Sequence, residues 1–183
     1  MFRNNEARVQ AINILKQVAG ACVLAGMLAG CSDNTELELR HQASLAKALQ
    51  DENRLVGERF LQENRTRPGI KELPGGLQYK VLNEGHGASP GPLDRVEVDY
   101  EGALVDGTVF DSTWQRGKPA SFQVNQVIRG WTRALMQMQE GDEWMLYIPA
   151  DLAYGARSPS DTIPPNSTLI FKVKLLAVSA AKE

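Results

Sequence analysis

The sequence predicts an α+β domain, an antiparallel sheet wrapped on one short helix, with a helical segment ahead of it. Three observations carry this reading. After Gly76, apolar and polar residues alternate with period two in several segments, the pattern of half-buried strands. One later segment alone, Trp131 to Met138, switches to helical spacing. Short turns such as Asp106-Gly107 separate the strand-like segments, and short turns join antiparallel neighbours.

In chain order, residues 1–16 hold Arg3, Arg8 and Lys16 against the single acid Glu6, and Val18 to Gly30 carries no charge. This is a basic n-region followed by an apolar h-region, too short for a membrane-crossing helix of about 20 residues. Leu28-Ala29-Gly30-Cys31 resembles the lipobox of bacterial lipoproteins, whose cysteine carries lipid and becomes the first mature residue. Ser32 directly after it resembles lipoproteins sorted to the outer membrane. The expectation is an export signal at residues 1–30 and a lipid anchor at Cys31, placing the protein in a bacterial cell envelope, at the outer membrane facing the periplasm. Several acyl chains, at about 0.8 kcal/mol per buried methylene, would anchor it firmly. Cleavage also removes Cys22, which suits an oxidising compartment.

Asp33 to Arg67 has no proline and a single glycine, Gly57. Leu45, Leu49, Glu52, Val56 and Phe60 recur at helical spacing, which predicts one or two helices with a mostly apolar stripe. The stripe reads equally as one side of a solvated tether or as a pairing surface. Pro68-Gly69 and Pro74-Gly75-Gly76 break the pattern and mark a boundary. Beyond it, Leu77, Tyr79 and Val81, then Val96, Val98 and Tyr100, then Leu169, Phe171, Val173 and Leu175 predict strands, with Gln78, Lys80, Glu97, Asp99, Lys172 and Lys174 facing away. Asp106-Gly107 predicts a hairpin, and Trp144, Leu146 and Ile148 a strand ending at Pro149. Trp131, Ala134, Leu135 and Met138 predict the short helix, with Gly141 as its stop.

Several chemistries are excluded by what the chain lacks. A formal net charge of −2 offers no field for a polyanion, so nucleic acid is not an expected partner. Two cysteines and two histidines, His41 and His86, lack the spacing of a zinc site, so no metal is expected. There is no Gly-x-Ser-x-Gly elbow, and Gly85-His86-Gly87 has no third glycine for a dinucleotide loop. Asp142 and Glu143 read as solvated charges at a strand start.

What remains is aromatic: Tyr100, Phe110, Phe122, Trp131, Tyr154 and Phe171, in six segments. Periodicity alone reads them as core. The residues around them carry more. Val98-Asp99-Tyr100-Glu101-Gly102, Asp106-Gly107-Thr108-Val109-Phe110-Asp111-Ser112, Val127-Ile128-Arg129-Gly130-Trp131, Ala153-Tyr154-Gly155 and Ile163-Pro164-Pro165-Asn166-Ser167-Thr168-Leu169-Ile170-Phe171 resemble, in this order, the FK506-binding-protein family of peptidyl-prolyl cis-trans isomerases. Pro68 to Tyr79 resembles the linker of the family's periplasmic, Mip-like bacterial branch, whose members carry an N-terminal helical dimerisation region.

The resemblance implies residues 31–75 as a stalk and linker, with a homodimer through residues 35–66, and residues 76–183 as an isomerase domain. It implies a half-barrel of five or six strands on the short helix, with a cleft between them. Trp131 is its expected floor, and Phe110, Phe122, Val127, Ile163 and Phe171 its substrate-binding walls. The Ile128 N–H and the Tyr154 hydroxyl are expected to donate to substrate carbonyls, and Tyr100 to pair with Asp111, whose carboxylate faces the twisting amide. The residues alone also allow Asp111 a turn role and Tyr154 an exposed turn position. Ala120 and Pro159 depart from the family's pattern and are expected to alter the rim.

An X-Pro bond turns slowly because rotation breaks amide resonance, a barrier of about 18–20 kcal/mol. An apolar pocket that fits the twisted amide lowers that barrier without cofactor or covalent step, and each 1.36 kcal/mol is about tenfold in rate. The implied substrates are proline-containing unfolded or exported polypeptides, and the implied inhibitors are FK506-like macrolides. The alternative is a dimeric periplasmic chaperone or surface interaction module with incidental isomerase activity.

Overall fold

The computed structural model describes residues 32–181, so the expected export signal and the lipid site at Cys31 lie outside the described residues. Two compact units divide between His41 and Gln42. Helix α1, Ser32–Asn64, is a single run where the sequence left one or two helices open. In the first unit, Arg40 pairs with Glu36 one turn away at 2.7 Å. No helix among the described residues is long and apolar enough to cross a membrane.

The second unit is built on seven strands: β1 (Lys71–Leu73), β2 (Leu77–Asn83), β3 (Arg95–Leu104), β4 (Val109–Ser112), β5 (Ala120–Gln123), β6 (Glu143–Ile148) and β7 (Leu169–Ser179). Their order is β1-β2-β6-β7-β3-β4, and β5 also pairs with β3. Every pairing is antiparallel. Pro74-Gly75-Gly76 is a hairpin turn inside the sheet, with Leu73 opposite Leu77, so the sheet begins at Lys71, ahead of the Gly76 expected from sequence. Gly75 and Gly76 adopt φ of 84° and 77°, which explains two glycines in succession.

Central strand β3 holds β5 against its first half and β4 against its second. Its register shifts at Glu97/Val98 against β7 and at Gly102/Ala103 against β4. Such bulges bend a strand and increase its twist, and here they curl the sheet into an open half-barrel. Two short helices complete the unit, α2 (Thr113–Arg116) and α3 (Arg129–Leu135).

Helix α3 buries Gly130, Trp131, Ala134 and Leu135. A side chain at Gly130 would run into Ile148 of β6, so glycine there lets the helix seat closely. The helix ends at Leu135 rather than near Gly141. The chain tightens into turns, with the Met138 N–H donating to the Leu135 carbonyl at 3.1 Å, and Met138 still reaches the core. Gly141, at φ 97°, is the turn into β6.

Two polar residues read as outward-facing are buried. Gln78 does point away from Leu77, but the last turns of α1 cover that face. The Asn64 amide donates to Gln78 Oε1 at 2.9 Å, and Gln78 Nε2 donates to the Leu61 carbonyl at 2.9 Å. Beside them Phe60 packs on Tyr147 with ring centroids 5.9 Å apart. Asp142 is not a solvated charge: it is 6% exposed and accepts from the N–H groups of Gly85 at 2.6 Å and Gln139 at 2.7 Å. Local spacing could not anticipate either case, because each is created by chain distant in sequence.

Candidate active site

Between α3 and the concave face of the sheet lies a cavity of about 390 Å³. Tyr100, Phe110, Asp111, Phe122, Val127, Ile128, Trp131, Tyr154, Ile163 and Phe171, the residues singled out from sequence, all line it, together with Gln126, Pro159, Ser160 and Thr162. Tyr100 comes from β3, Phe110 and Asp111 from β4, Phe122 from β5 and Phe171 from β7. Val127 and Ile128 follow a 3₁₀ turn at Val124–Gln126 and lead into α3. Tyr154 and Ile163 come from the connection between β6 and β7.

Trp131 is the hub. Tyr100, Phe122 and Phe171 meet it nearly edge-on, with centroids at 5.2, 5.8 and 5.3 Å and interplanar angles of 90°, 84° and 84°. Phe110 meets Phe171 likewise at 5.6 Å and 84°. Edge-to-face pairs add about 0.5–1.5 kcal/mol each beyond area burial, so the floor is rigid as well as apolar. The Trp131 indole N–H is buried with no hydrogen-bond partner among the described residues. Gly102 makes the wall possible: a Cβ there would stand 2.5 Å from the Phe110 ring and 2.7 Å from that of Phe171.

The polar side of the cleft is a connected set. The Tyr100 hydroxyl donates to Asp111, and Arg116 pairs with the other oxygen of the same carboxylate. Arg116 also reaches the Tyr100 hydroxyl at 3.3 Å and lies over its ring, 5.7 Å from the centroid. Burial, and then the hydrogen bond to Asp111, raise the Tyr100 phenol above its ordinary 10.0. The hydrogen bond with Tyr100, ahead of the Asp111 charge, holds Arg116 more firmly protonated. Turn chemistry falls to Ser112 instead of Asp111: its hydroxyl accepts from the Gln115 N–H at 3.3 Å and caps α2. That cap aims Arg116 back at Asp111.

Tyr154 is 40% exposed at the mouth of the cleft. Burial, and then the Asp111 charge, raise its phenol above 10.0, so it is a hydroxyl donor at neutral pH. The Ile128 carbonyl accepts the first α3 bond, from Thr132 at 3.1 Å. Its own N–H precedes the helix ladder and is not consumed by it. At the rim, the Ile163 N–H donates to the Ser160 carbonyl at 3.2 Å, and the Ser158 hydroxyl donates to Ile163 O at 2.6 Å, which fixes the turn carrying Pro159. Of the two departures noted in sequence, Pro159 lines the cavity, whereas Ala120 faces Val98 across β3 and β5 and does not line it.

Residues 87–176 match the family profile described as FKBP-type peptidyl-prolyl cis-trans isomerase, and residues 15–81 match that of the domain amino terminal to it. The macrophage infectivity potentiator of Trypanosoma cruzi is 40% identical over 158 residues, 86% of this chain and 81% of that protein. The chain belongs to the FKBP-type family. The outer membrane protein MIP of Legionella longbeachae is 56% identical over 131 residues, 72% of this chain and 56% of that protein. The crystal structure of FkpA from Escherichia coli superposes with a TM-score of 0.75 at 31% identity, over 96% of this chain and 83% of that one. Matches to the first curated relatives span between 50 and 59% of their lengths, so the chain corresponds to about half of each.

The FKBP-type cleft contains residues that the sequence reading missed. Arg116 could have been found from the helix start that Ser112 caps, five residues from Asp111. Gly102 carries no local signal, because only the packed rings of Phe110 and Phe171 make its missing side chain necessary. Among the described residues, no three His, Cys, Asp or Glu side chains gather to hold a metal ion.

Proposed function

We propose that this protein is a cofactor-free peptidyl-prolyl cis-trans isomerase acting on proline-containing unfolded or exported polypeptides in a bacterial cell envelope. The observation that carries it is the aromatic cavity of about 390 Å³, floored by Trp131 and edged by Asp111. A prolyl ring resting on Trp131, between Phe122, Val127, Ile163 and Phe171, leaves its amide beside Phe110 and Asp111. The Ile128 N–H and the Tyr154 hydroxyl hold the flanking carbonyls, and the fixed Asp111 carboxylate faces the carbonyl as it turns. A twisted amide is less polar than a planar one, so the apolar walls favour it over the ground state relative to water. Relief of about 5.5 kcal/mol yields a ten-thousandfold acceleration. The residues 76–183 supply this chemistry, residues 1–30 the export signal and Cys31 the lipid anchor that holds the chain at the outer membrane, facing the periplasm.

The exposed apolar side chains Leu45, Leu49 and Val56 of α1 support a second capacity, a homodimer through residues 35–66 that presents two clefts to one unfolded chain. The test is cis-to-trans isomerisation of a proline tetrapeptide by the purified protein, with and without excess FK506, repeated with Asp111→Ala. Acceleration that FK506 abolishes and the substitution lowers is expected; a folded wild-type protein without acceleration overturns the isomerase reading. If Asp111→Ala and Trp131→Leu abolish turnover yet leave suppression of client aggregation intact, holding is a separable activity.

A further inference from the structure

Tyr154 and Ile163 stand on the connection between β6 and β7, which leaves the sheet at Ile148 and returns at Leu169. The far end of that connection, Pro164 to Thr168, is pressed against the middle of α1. Asn53 Nδ2 donates to the Pro165 carbonyl at 3.1 Å. In the other direction, Asn166 Nδ2 reaches the Gln50 carbonyl at 3.4 Å. Between these contacts and the sheet, buried Gly57 faces Thr168 so closely that a Cβ would stand 2.9 Å from Thr168 Cβ. Gly57, the one glycine of the helix, is where α1 takes in the Thr168 side chain of this turn.

The turn also reaches inward. Asn166 adopts φ 58°, the one positive φ outside glycine among the described residues. A residue in that region persists where its surroundings fix it, and here its backbone N–H and its side-chain NH2 are both engaged. While its side chain reaches α1, its N–H donates to the Gly155 carbonyl at 2.7 Å, immediately beside Tyr154. The Ser167 hydroxyl closes on the Pro164 carbonyl at 2.7 Å, next to Ile163.

We propose that α1 is a positioning element of the cleft: Asn53 and Gly57 hold the Pro164–Thr168 turn, and Asn166 passes that position through Gly155 to Tyr154. The stalk helix is then part of the peptide-holding apparatus as well as a tether. Tyr154 holds the bound peptide, whereas the twist takes place over Trp131, so loosening α1 weakens peptide binding more than it slows turnover. This rests on the isomerase reading.

The test uses the full chain with Asn53→Asp, which keeps the size of the side chain but removes its donor, and with Asn53→Gln, which restores an amide. Asn53→Asp is expected to raise KM about three- to tenfold, the scale of one ordinary hydrogen bond, with kcat within about twofold. Asn53→Gln is expected to recover part of the loss, and Gly57→Ala to act in the same direction as Asn53→Asp. Amide hydrogen exchange supplies a readout independent of activity: the Asn166 N–H should exchange faster in Asn53→Asp while core amides of β3 and β7 do not change. If Asn53→Asp leaves both KM and Asn166 protection at wild-type values, the proposal is overturned even though the enzyme is active. If wild type shows no turnover, the isomerase reading fails by itself, and unchanged Asn166 protection still decides against the coupling.

Discussion

Replacing Gly102 by alanine tests whether the cleft depends on close aromatic packing. The added Cβ would stand 2.5 Å from the Phe110 ring and 2.7 Å from that of Phe171. Ordinary van der Waals contact begins near 3.4 Å, so a ring must retreat by about 0.9 Å. Phe171 cannot give way, because it is 5% exposed and wedged against Trp131 at 5.3 Å. Phe110 is half-buried at the wall and is the ring that moves. Overpacking costs about 1–3 kcal/mol, and a wall with solvent on one side puts this case near the lower end. The effect on activity is larger than the effect on stability, since a displacement of about 1 Å in a positioning wall can cost up to about a hundredfold. The assay is kcat/KM on a proline tetrapeptide, with thermal unfolding and FK506 affinity measured on the same sample. A fall of about tenfold or more, with weakened FK506 binding and a folded protein, is expected. Wild-type kcat/KM and FK506 affinity in a folded Gly102→Ala protein would refute the view that Phe110 must lie where it does.

Tyr100→Phe removes the hydroxyl that Asp111 accepts and should lower kcat/KM by up to about tenfold, equivalent to 1.36 kcal/mol, with little change in near-ultraviolet dichroism; a value equal to wild type would remove Tyr100 from the orientation of Asp111. Gln78→Ala strips the buried acceptor from Asn64 and should destabilise the fold by about 1–3 kcal/mol, read by denaturant unfolding, while kcat/KM of the folded fraction stays the same. Burial raises the phenols of Tyr100, Tyr147 and Tyr154 above 10.0, so the folded state favours their neutral form. The stability they contribute is complete below pH 10 and is lost as pH rises through their folded values. A phenolate absorbance titration that found any of the three ionising below 10, or stability rising above that pH, would contradict the burial described.

The strands and the short helix were legible in the sequence because their signal is local. Period-two alternation at Val96, Val98 and Tyr100, or at Phe171, Val173 and Leu175, records which side faces the core whatever the partner strand turns out to be. The cleft residues were legible for a different reason: short motifs at strand ends and turns resemble a family, and the fold draws those ends together around Trp131. Tertiary structure decided what depends on distant chain. Gln78 is buried because α1 returns over it, and Asp142 because the Gly85 loop closes on it. Gly102 and Gly57 are required by approaches that exist only after folding, and Pro74-Gly75-Gly76 became a hairpin turn because β1 pairs before it. Propensity and periodicity report on neighbours along the chain, whereas desolvation and steric contact are set by neighbours in space. This sequence therefore determined the faces of its elements, and the tertiary structure decided which polar groups those faces bury and how closely side chains press on the backbone at Gly102 and Gly57.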